Sequence, residues 1–264
     1  MKRFIPFVKS DPRVAVIRLN GVIASGSRGI SDASHASAIE KAFSKGKPKA
    51  VALVVNSPGG SPVQSALVAA RIRRLADEKT VPVHAFVEDV AASGGYWLAC
   101  AADQIWVDPS SIVGSIGVIS ASFGFVEAMG KLGVERRVHT AGEDKSILDP
   151  FRPERAEDVA RLKDIQRDIH AAFIDHVKSR RGARLEGEDL FTGAFWTGAR
   201  GVQLGLADGI GHLVPKMKEL YGDKVRFAVY GPRKNLLSRF GAQVIADLDH
   251  GLEERALYAR YGLS

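Results

Sequence analysis

Cysteine is almost absent from this sequence. Cys100 is the one cysteine in 264 residues, and it lies inside an apolar run. A single thiol cannot form an internal disulfide, and no recognisable set of metal ligands accompanies it. We therefore expect Cys100 to be a small buried core residue, and we expect the protein to use neither a metal nor another cofactor.

Hydrophobic runs of the roughly 18 residues that span a bilayer are also missing. The N-terminal stretch, residues 1–9, is basic but lacks the apolar core of a secretory signal peptide. We expect residues 1–13 to form an extension that is frayed or rests on a membrane surface. This favours a protein that is cytoplasmic or peripherally associated with a membrane.

A basic stripe interleaved with aromatic residues, as nucleic-acid-binding surfaces carry, is missing as well. The formal net charge is +7, but the basic residues are scattered apart from residues 71–74 and the pair Arg180-Arg181. The excess favours acidic partners such as anionic lipid, and we expect no nucleic acid partner. The hydrophobic fraction of 45% and charged fraction of 25% are typical of a globular protein of one large or two small domains.

The patterns that are present alternate between strand-like and helix-like runs, which indicates an α/β fold. Apolar runs rich in β-formers predict strands at 14–19, 50–55 and 81–87. Alternating apolar and basic residues predict a half-buried strand at 134–138. The longest predicted helix, 153–180, carries one apolar stripe.

Two further segments have interpretable ends. Ser61 as N-cap and Pro62 at the first helical position predict a helix that extends to about Ala76. The residues expected on its buried side are Val63, Leu67, Ala70 and Leu75. The tail from Arg226 to the C-terminus predicts a strand, a Gly-Pro turn and an amphipathic helix.

A serine followed by two glycines stands at the centre of the chain's chemistry. Ser93 lies between the apolar run that ends at Val87 and a small apolar run that begins at Gly94, which predicts a strand, a sharp turn and a helix. A serine on such a turn can expose its hydroxyl beside the free N–H groups of the helix. Gly94 allows close approach of a substrate backbone. The alternative is an ordinary N-cap serine with flexible glycines after it.

A second glycine turn, residues 56–61, also follows a buried strand and opens a helix. Neighbouring strands would set the two turns side by side. The N–H groups of Gly60 and Gly94 could then converge on one developing oxyanion. A plain β-turn is the alternative, and a phosphate-binding P-loop is excluded because Gly-Lys-Ser/Thr does not follow.

The residues alone do not identify a base for Ser93. None of the seven histidines lies in a serine-hydrolase signature, and Ser93 lacks the Gly-x-Ser-x-Gly elbow. His139 is the least implausible histidine base. A histidine at any of these positions is more often a surface or packing residue.

Six short motifs follow one another between Val14 and Leu213. They are NSPGG at 56–60, ASGGY at 92–96, VGSIGV at 113–118, GEDKS at 142–146, WTG at 196–198 and GLADGIG at 205–211. In this order and combination the chain resembles the signal peptide peptidase A (S49) family of serine proteases, of the short, single-repeat type. The combination is far more specific than any one of its motifs.

The resemblance implies a serine–lysine dyad. Ser93 would be the nucleophile, Lys145 the general base, and Ser115 the residue that holds the lysine amine in place. The implied oxyanion and substrate-binding residues are Gly59, Gly60 and Gly94. The implied reaction is cleavage of signal-peptide-like, membrane-derived or unfolded peptides at small or apolar residues, by a bacterial enzyme.

The same resemblance implies a layered β-β-α superhelix of the Clp protease and crotonase type. It would occupy residues 14–225, with 226–264 packed on the same domain or on a neighbouring subunit. Short family members are homo-oligomers in which one chain supplies the serine and the next supplies the lysine. We therefore expect a homo-oligomer, with possible peripheral membrane contact.

Two features depart from the family pattern. The N-terminal membrane anchor that most members carry is not seen. Glu143 and Asp144 directly precede Lys145, and carboxylates favour a charged lysine although a base must be neutral. We expect both acids to point away from it, toward Arg136 or Arg137.

Two other functions stay open. A crotonase-type acyl-CoA enzyme would use the same superhelix and paired amide donors, with a carboxylate base and a bound nucleotide. The Ser-Gly-Gly and Lys-Ser motifs argue against it. The other is a non-catalytic scaffold of the same fold, against which the complete dyad argues.

Overall fold

The computed structural model describes residues 11–26, 29–142, 144–187, 189–231 and 254–263. The strands are β1 (Arg13–Asn20), β2 (Ala50–Ser57), β3 (Val83–Ala92), β4 (Gln104–Val107), β5 (Ile112–Gly114), β6 (Phe195–Thr197), β7 (Gly209–Ile210) and β8 (Arg226–Tyr230). The helices are α1 (Asp32–Ser44), α2 (Pro62–Lys79), α3 (Gly94–Ala99), α4 (Val126–Lys131), α5 (Ala156–Arg181), α6 (Gly198–Gln203) and α7 (Leu213–Tyr221).

These elements divide between two compact units. The first unit comprises the residues up to 116 and from 174 onward, and the second unit comprises 117–173. All the strands listed above lie in the first unit, in one sheet with the order β6-β5-β3-β2-β1-β8. The strands predicted at 14–19, 50–55 and 81–87 are confirmed as β1, β2 and β3.

Strand β3 organises the sheet because it pairs with different neighbours along its length. Its first half pairs in parallel with β4, and its last three residues, Val90–Ala92, pair in parallel with β5. On the other side it pairs in parallel with β2, with a register shift between Val55 and Ser57. The carboxyl ends of β2, β3 and β5 therefore meet at one edge of the sheet.

The helix after β2 begins as predicted but buries another face. Ser61 caps α2 by accepting a hydrogen bond from the backbone N–H of Gln64. Val63 and Leu67 are exposed to 63% and 46%, so their predicted burial is wrong, as is that of Ala70. The buried residues are Ser65, Val68, Ala69, Ile72, Leu75 and Ala76. Small residues on this face allow α2 to pack closely on α1 and α3.

The strand predicted at 134–138 does not form. Residues 134–138 have no regular secondary structure and are exposed, apart from Val138, which is half-buried. Their charged side chains form surface ion pairs, Arg137 with Glu135 and Arg136 with Asp149. Alternation makes a strand only where a neighbour supplies the ladder of hydrogen bonds, and the second unit supplies none in its described residues.

The C-terminal tail is described in two pieces. Strand β8 is confirmed and pairs in parallel with β1 at the edge of the sheet. The rest of the predicted Gly-Pro turn and most of the predicted amphipathic helix lie outside the described residues. Residues 254–259 are helical, and we refer to residues 254–263 as the C-terminal segment.

A buried polar network fixes α3 to the rest of the first unit. The guanidinium of Arg181, which is 2% exposed, donates to the carbonyl oxygen of Gly205 and to Asp208. The hydroxyl of Tyr96, in α3, donates to the carbonyl oxygen of Leu206 at 2.8 Å. The motif at 205–211 thus anchors α3 through the hydrogen bond between Tyr96 and Leu206, and it also binds Arg181. Cys100 is buried beside this network as predicted, and burial raises the pKa of its thiol to about 12.

The carboxylate of Asp208 is the charge that makes this network stable. Burial raises its pKa, but hydrogen bonds from Arg181 and the Ile105 N–H outweigh that effect, and the pKa lies below its ordinary value. Asp208→Asn leaves the buried guanidinium of Arg181 without a counter-charge, so we expect it to lower the free energy of unfolding by about 3–5 kcal/mol. Asp77→Asn removes the exposed ion pair with Arg73 and should cost less than about 1 kcal/mol. Urea denaturation measures both, and equal losses would contradict the assignment.

Candidate active site

Ser93 occupies a strained turn between β3 and α3. Its backbone has φ 52° and ψ −124°, a region that residues other than glycine rarely adopt and that costs about 1–3 kcal/mol. Its N–H donates to the carbonyl oxygen of Gly114 at 2.8 Å. Within the described residues its side chain makes no cap hydrogen bond to α3. Ser93 therefore stands at the N-cap position of α3 without capping the helix through its side chain, and the residue is half-buried.

The glycine turn after β2 lies against Ser93. A Cβ built on Gly59 would lie 2.8 Å from the Cβ of Ser93 and 2.9 Å from the nitrogen of Gly94. A Cβ built on Gly94 would lie 3.4 Å from the nitrogen of Gly60. The two glycine turns are therefore neighbours, as the sequence predicted.

The amides of these turns remain available. The parallel bridge between Ile23 and Gly60 uses the carbonyl of Gly59 and the N–H of Ser61, not the N–H of Gly60. Within the described part of the chain, neither the N–H of Gly60 nor that of Gly94 donates to a protein group. Gly60 must be glycine, because φ is +140° there and a Cβ would collide with the carbonyl oxygen of Ile23.

Ser115 lies on the other side of the Ser93 turn. Ala92 pairs with Gly114, so Ser115 is the residue that leaves β5 beside Ser93. Its φ is also positive, at 53°, and its N–H donates to the carbonyl oxygen of Ala194 at 2.7 Å. One edge of the first unit thus brings together Gly59, Gly60, Ser93, Gly94 and Ser115.

Lys145 lies in the second unit, on an exposed turn. The neighbouring Asp144 pairs with Arg161 at 2.7 Å and lies 3.9 Å from Arg155. The expectation that Asp144 pairs with Arg136 or Arg137 is therefore wrong. The arginines of α5 and of the turn before it are closer, because the loop folds back onto the start of that helix. Glu143 lies outside the described residues.

The enclosed histidines of the first unit have partners other than Ser93. His35 bonds with Ser34, and His84 with Tyr221. His176 bonds through Nε2 to the carbonyl oxygen of Trp97, and its ring stacks on that indole with centroids 4.9 Å apart. His139 is exposed and lies in the second unit. The three enclosed histidines are therefore not bases for Ser93, whereas His139 has the same exposed, second-unit setting as Lys145.

Sequence reasoning missed one polar side chain at this edge. Tyr261, in the C-terminal segment, has its hydroxyl 3.3 Å from Ser115 Oγ and 3.3 Å from the carbonyl oxygen of Pro58. No motif surrounds it in the sequence, so no local signal could have found it.

Comparison with known families decides the interpretation of this edge. A model of peptidase family S49 matches residues 75–223, a range that includes Ser93, Ser115 and Lys145. The chain belongs to peptidase family S49. The predicted resemblance is confirmed, and three of the six motifs, at 56–60, 92–96 and 113–118, are brought together at the Ser93 turn.

Two similar proteins are longer than this chain. It is 32% identical to the probable protease SohB of Buchnera aphidicola, over 80% of this chain and 62% of that protein. It is also 51% identical, over its whole length, to 39% of a Brucella melitensis protein named Na(+)/H(+) antiporter NhaA. The chain therefore spans about two fifths to three fifths of these relatives, and the S49 match falls inside the shared part.

The predicted fold class is confirmed by a solved structure. The chain matches a membrane-bound stomatin-specific protease, 1510-N, with a TM-score of 0.52 and 13% identity over 85% of this chain and 100% of that one. No helix in the described part of the chain is both long and apolar enough to cross a membrane.

The contact between His176 and Trp97 makes the support of α3 sensitive to acid. Burial lowers the pKa of His176 to about 4, from an ordinary value of 6.5. The unfolded chain then takes up a proton before the folded chain does, so stability is full above pH 6.5 and falls as the pH drops toward 4. We expect this group to contribute a loss of about 2–3 kcal/mol over that window.

His176→Phe tests this, because phenylalanine can still stack on Trp97 but cannot titrate. The pH dependence of urea unfolding between pH 7 and 4 should become shallower than in the unsubstituted protein. His139→Phe, at an exposed histidine of the second unit, is the control and should change the slope less than His176→Phe does. An unaltered slope in His176→Phe would refute the assignment.

Proposed function

We propose that this protein hydrolyses peptide bonds with a Ser93–Lys145 dyad. The observation that carries the proposal is the Ser93 turn, where a strained backbone places a half-buried serine beside two glycine amides that have no protein acceptor in the described chain. Strained residues and unpaired amides of this kind are features of acyl-transfer sites. Membership of the S49 family supports the lysine as the base.

The proposed reaction has two stages. Ser93 Oγ attacks the scissile carbonyl while the neutral amine of Lys145 takes the hydroxyl proton. The Gly60 and Gly94 N–H groups stabilise the oxyanion, and Gly59 leaves room for the substrate backbone. Lys145 then gives its proton to the leaving amine, and an acyl group stays on Ser93. Water, deprotonated by Lys145, releases the acyl group and restores the serine.

We further propose a homo-oligomer in which the dyad forms between adjacent chains. Ser93 and Lys145 belong to different units of the chain, and Lys145 is exposed. The second unit also exposes large apolar side chains, of which Ile119, Phe123 and Leu132 are exposed to 65%, 79% and 77%. Apolar surface of this kind is typical of interfaces, and a neighbouring copy would remove it from water.

The proposed substrates are signal-peptide-like, membrane-derived or unfolded peptides, cut at small or apolar residues. A relative from Enterococcus faecium, 26% identical, is named a putative signal peptide peptidase, which supports this class. The alignment of the whole chain with part of a longer protein named for an antiporter supports a location beside a membrane, as a cytoplasmic or peripheral protein. No cofactor enters the proposed reaction.

The two alternatives make different predictions. A crotonase-type enzyme would bind coenzyme A in a titration and would need a carboxylate where the proposed site has Ser93 and Ser115. A non-catalytic scaffold would not react with a serine-directed fluorophosphonate. Rapid labelling of Ser93 without coenzyme A binding favours the peptidase over both.

Removing either member of the dyad should abolish cleavage. We expect Ser93→Ala and Lys145→Ala each to lower kcat/KM for a quenched-fluorescence apolar peptide by at least about 10³-fold. Ser110→Ala and Lys131→Ala change exposed residues of the same types and should leave the rate within about twofold. Circular dichroism checks that all four variants fold. Retained activity in Lys145→Ala would remove the lysine from the reaction.

Mixing the two inactive variants tests where the dyad forms. If each site takes its serine from one chain and its lysine from the next, co-assembly of Ser93→Ala and Lys145→Ala chains at equal amounts leaves about one quarter of the sites complete. Activity should therefore return to about one quarter of the unsubstituted level. Separately assembled and then mixed variants, held below the exchange time, are the control. Complete inactivity of the co-assembled particles would show that the dyad forms within one chain.

A further inference from the structure

The C-terminal segment packs beneath the Ser93 turn. Tyr261 is 9% exposed and forms a hydrophobic cluster with Val90 and Ala92 at the end of β3. Its ring meets that of Phe195 edge to face, with centroids 5.1 Å apart. Tyr258, one turn earlier, donates from its hydroxyl to the carbonyl oxygen of Asn56 at 2.9 Å. The segment is therefore anchored to the sheet edge that carries the candidate site.

The hydroxyl of Tyr261 joins the two loops that flank Ser93. Pro58 follows β2 and Ser115 follows β5, and these strands lie on either side of β3. The hydroxyl lies 3.3 Å from the Pro58 carbonyl oxygen and 3.3 Å from Ser115 Oγ. It thus contacts both the loop that carries Gly60 and the serine that the dyad needs to hold its lysine.

The hydroxyl of Tyr261 is the donor in both contacts, to the carbonyl oxygen of Pro58 and to Ser115 Oγ. A tyrosine hydroxyl has one hydrogen, so the two acceptors share it. The contact fixes the position of Ser115 Oγ and leaves that oxygen a second lone pair for a further donor.

We infer that Tyr261 is a positioning residue that holds Ser115 Oγ where it can accept a hydrogen bond from the Lys145 amine. An amine held by donating one N–H to Ser115 can direct its lone pair at the proton of Ser93. If Ser115 were free to rotate, its oxygen would leave that position and the amine would lose its acceptor. This inference deepens the proposed function and rests on it, since it assigns Tyr261 a role only in the serine–lysine reaction.

Tyr261→Phe tests the inference, because it removes the hydroxyl and keeps the ring that packs on Phe195. We expect kcat for peptide cleavage, and the rate at which a small fluorophosphonate labels Ser93, to fall together by about tenfold, the effect of one lost hydrogen bond. KM should stay within about twofold. Tyr258→Phe is the matched control: it removes a hydroxyl-to-carbonyl bond from the same segment without touching Ser115, and both rates should stay within about twofold.

The double variant separates positioning from general support. If Tyr261 acts through Ser115, Tyr261→Phe should cause no further loss in a Ser115→Ala background. Losses that multiply, or equal losses in Tyr258→Phe and Tyr261→Phe, would show that the segment only stabilises the site and would overturn the inference. Unchanged kcat and labelling rates in Tyr261→Phe would also overturn the inference.

Failure of the proposed function can be distinguished from failure of the inference about Tyr261. In that case Ser93→Ala or Lys145→Ala would keep its activity, whatever Tyr261→Phe does. Thermal unfolding of each variant distinguishes a lost hydrogen bond at the site from loss of the fold.

Discussion

The parallel register of β2, β3 and β5 is the constraint on which the candidate site depends. Because three neighbouring strands end at one edge, the chain places the turn at 57–60, Ser93 and Ser115 side by side although they are far apart in sequence. The fit is close enough to exclude side chains, since a Cβ on Gly95 would collide with the carbonyl oxygen of Ser57. Any shift of one residue in this register would separate Ser93 from the glycine turn at 57–60.

A strained turn persists only where its surroundings hold it, and here buried polar groups supply that support. Arg181 and Asp208 bind each other and the backbone behind α3, and Tyr96 binds the carbonyl of Leu206. Burying such groups is costly unless each finds a partner. These polar groups fix the orientation of α3 as well as stabilising the fold, because hydrogen bonds are directional and apolar packing is not. The GLADGIG motif is thereby explained as structural support for Ser93.

The parts of the fold that were predictable from sequence are those with local causes. Ser61 caps α2 because Pro62 directly after it favours the first turn of a helix. Ser93 marks the turn between strand and helix because the glycines that follow it allow a sharp change in backbone direction. The buried face of α2 was not predictable, since Val63 and Val68 are equally apolar and only the position of α1 and α3 decides between them. The strand predicted at 134–138 does not form for the same reason: an alternating pattern becomes a strand only where the tertiary structure supplies a neighbouring strand. Tyr261 reaches Ser115 across 146 positions, and no short-range pattern carries such a contact.

The division of the chain has a consequence for the proposed chemistry. A lysine amine in water is protonated at neutral pH and cannot serve as a base. The first unit by itself holds Ser93, the two glycine amides and Ser115, but it has no group in its described residues that bonds to Ser93 and could take its proton. If a neighbouring chain supplies the lysine, the same contact that brings the amine to Ser115 also removes its water. Assembly would then create the base and the site in one step, and the unassembled chain would be inert toward the proteins around it.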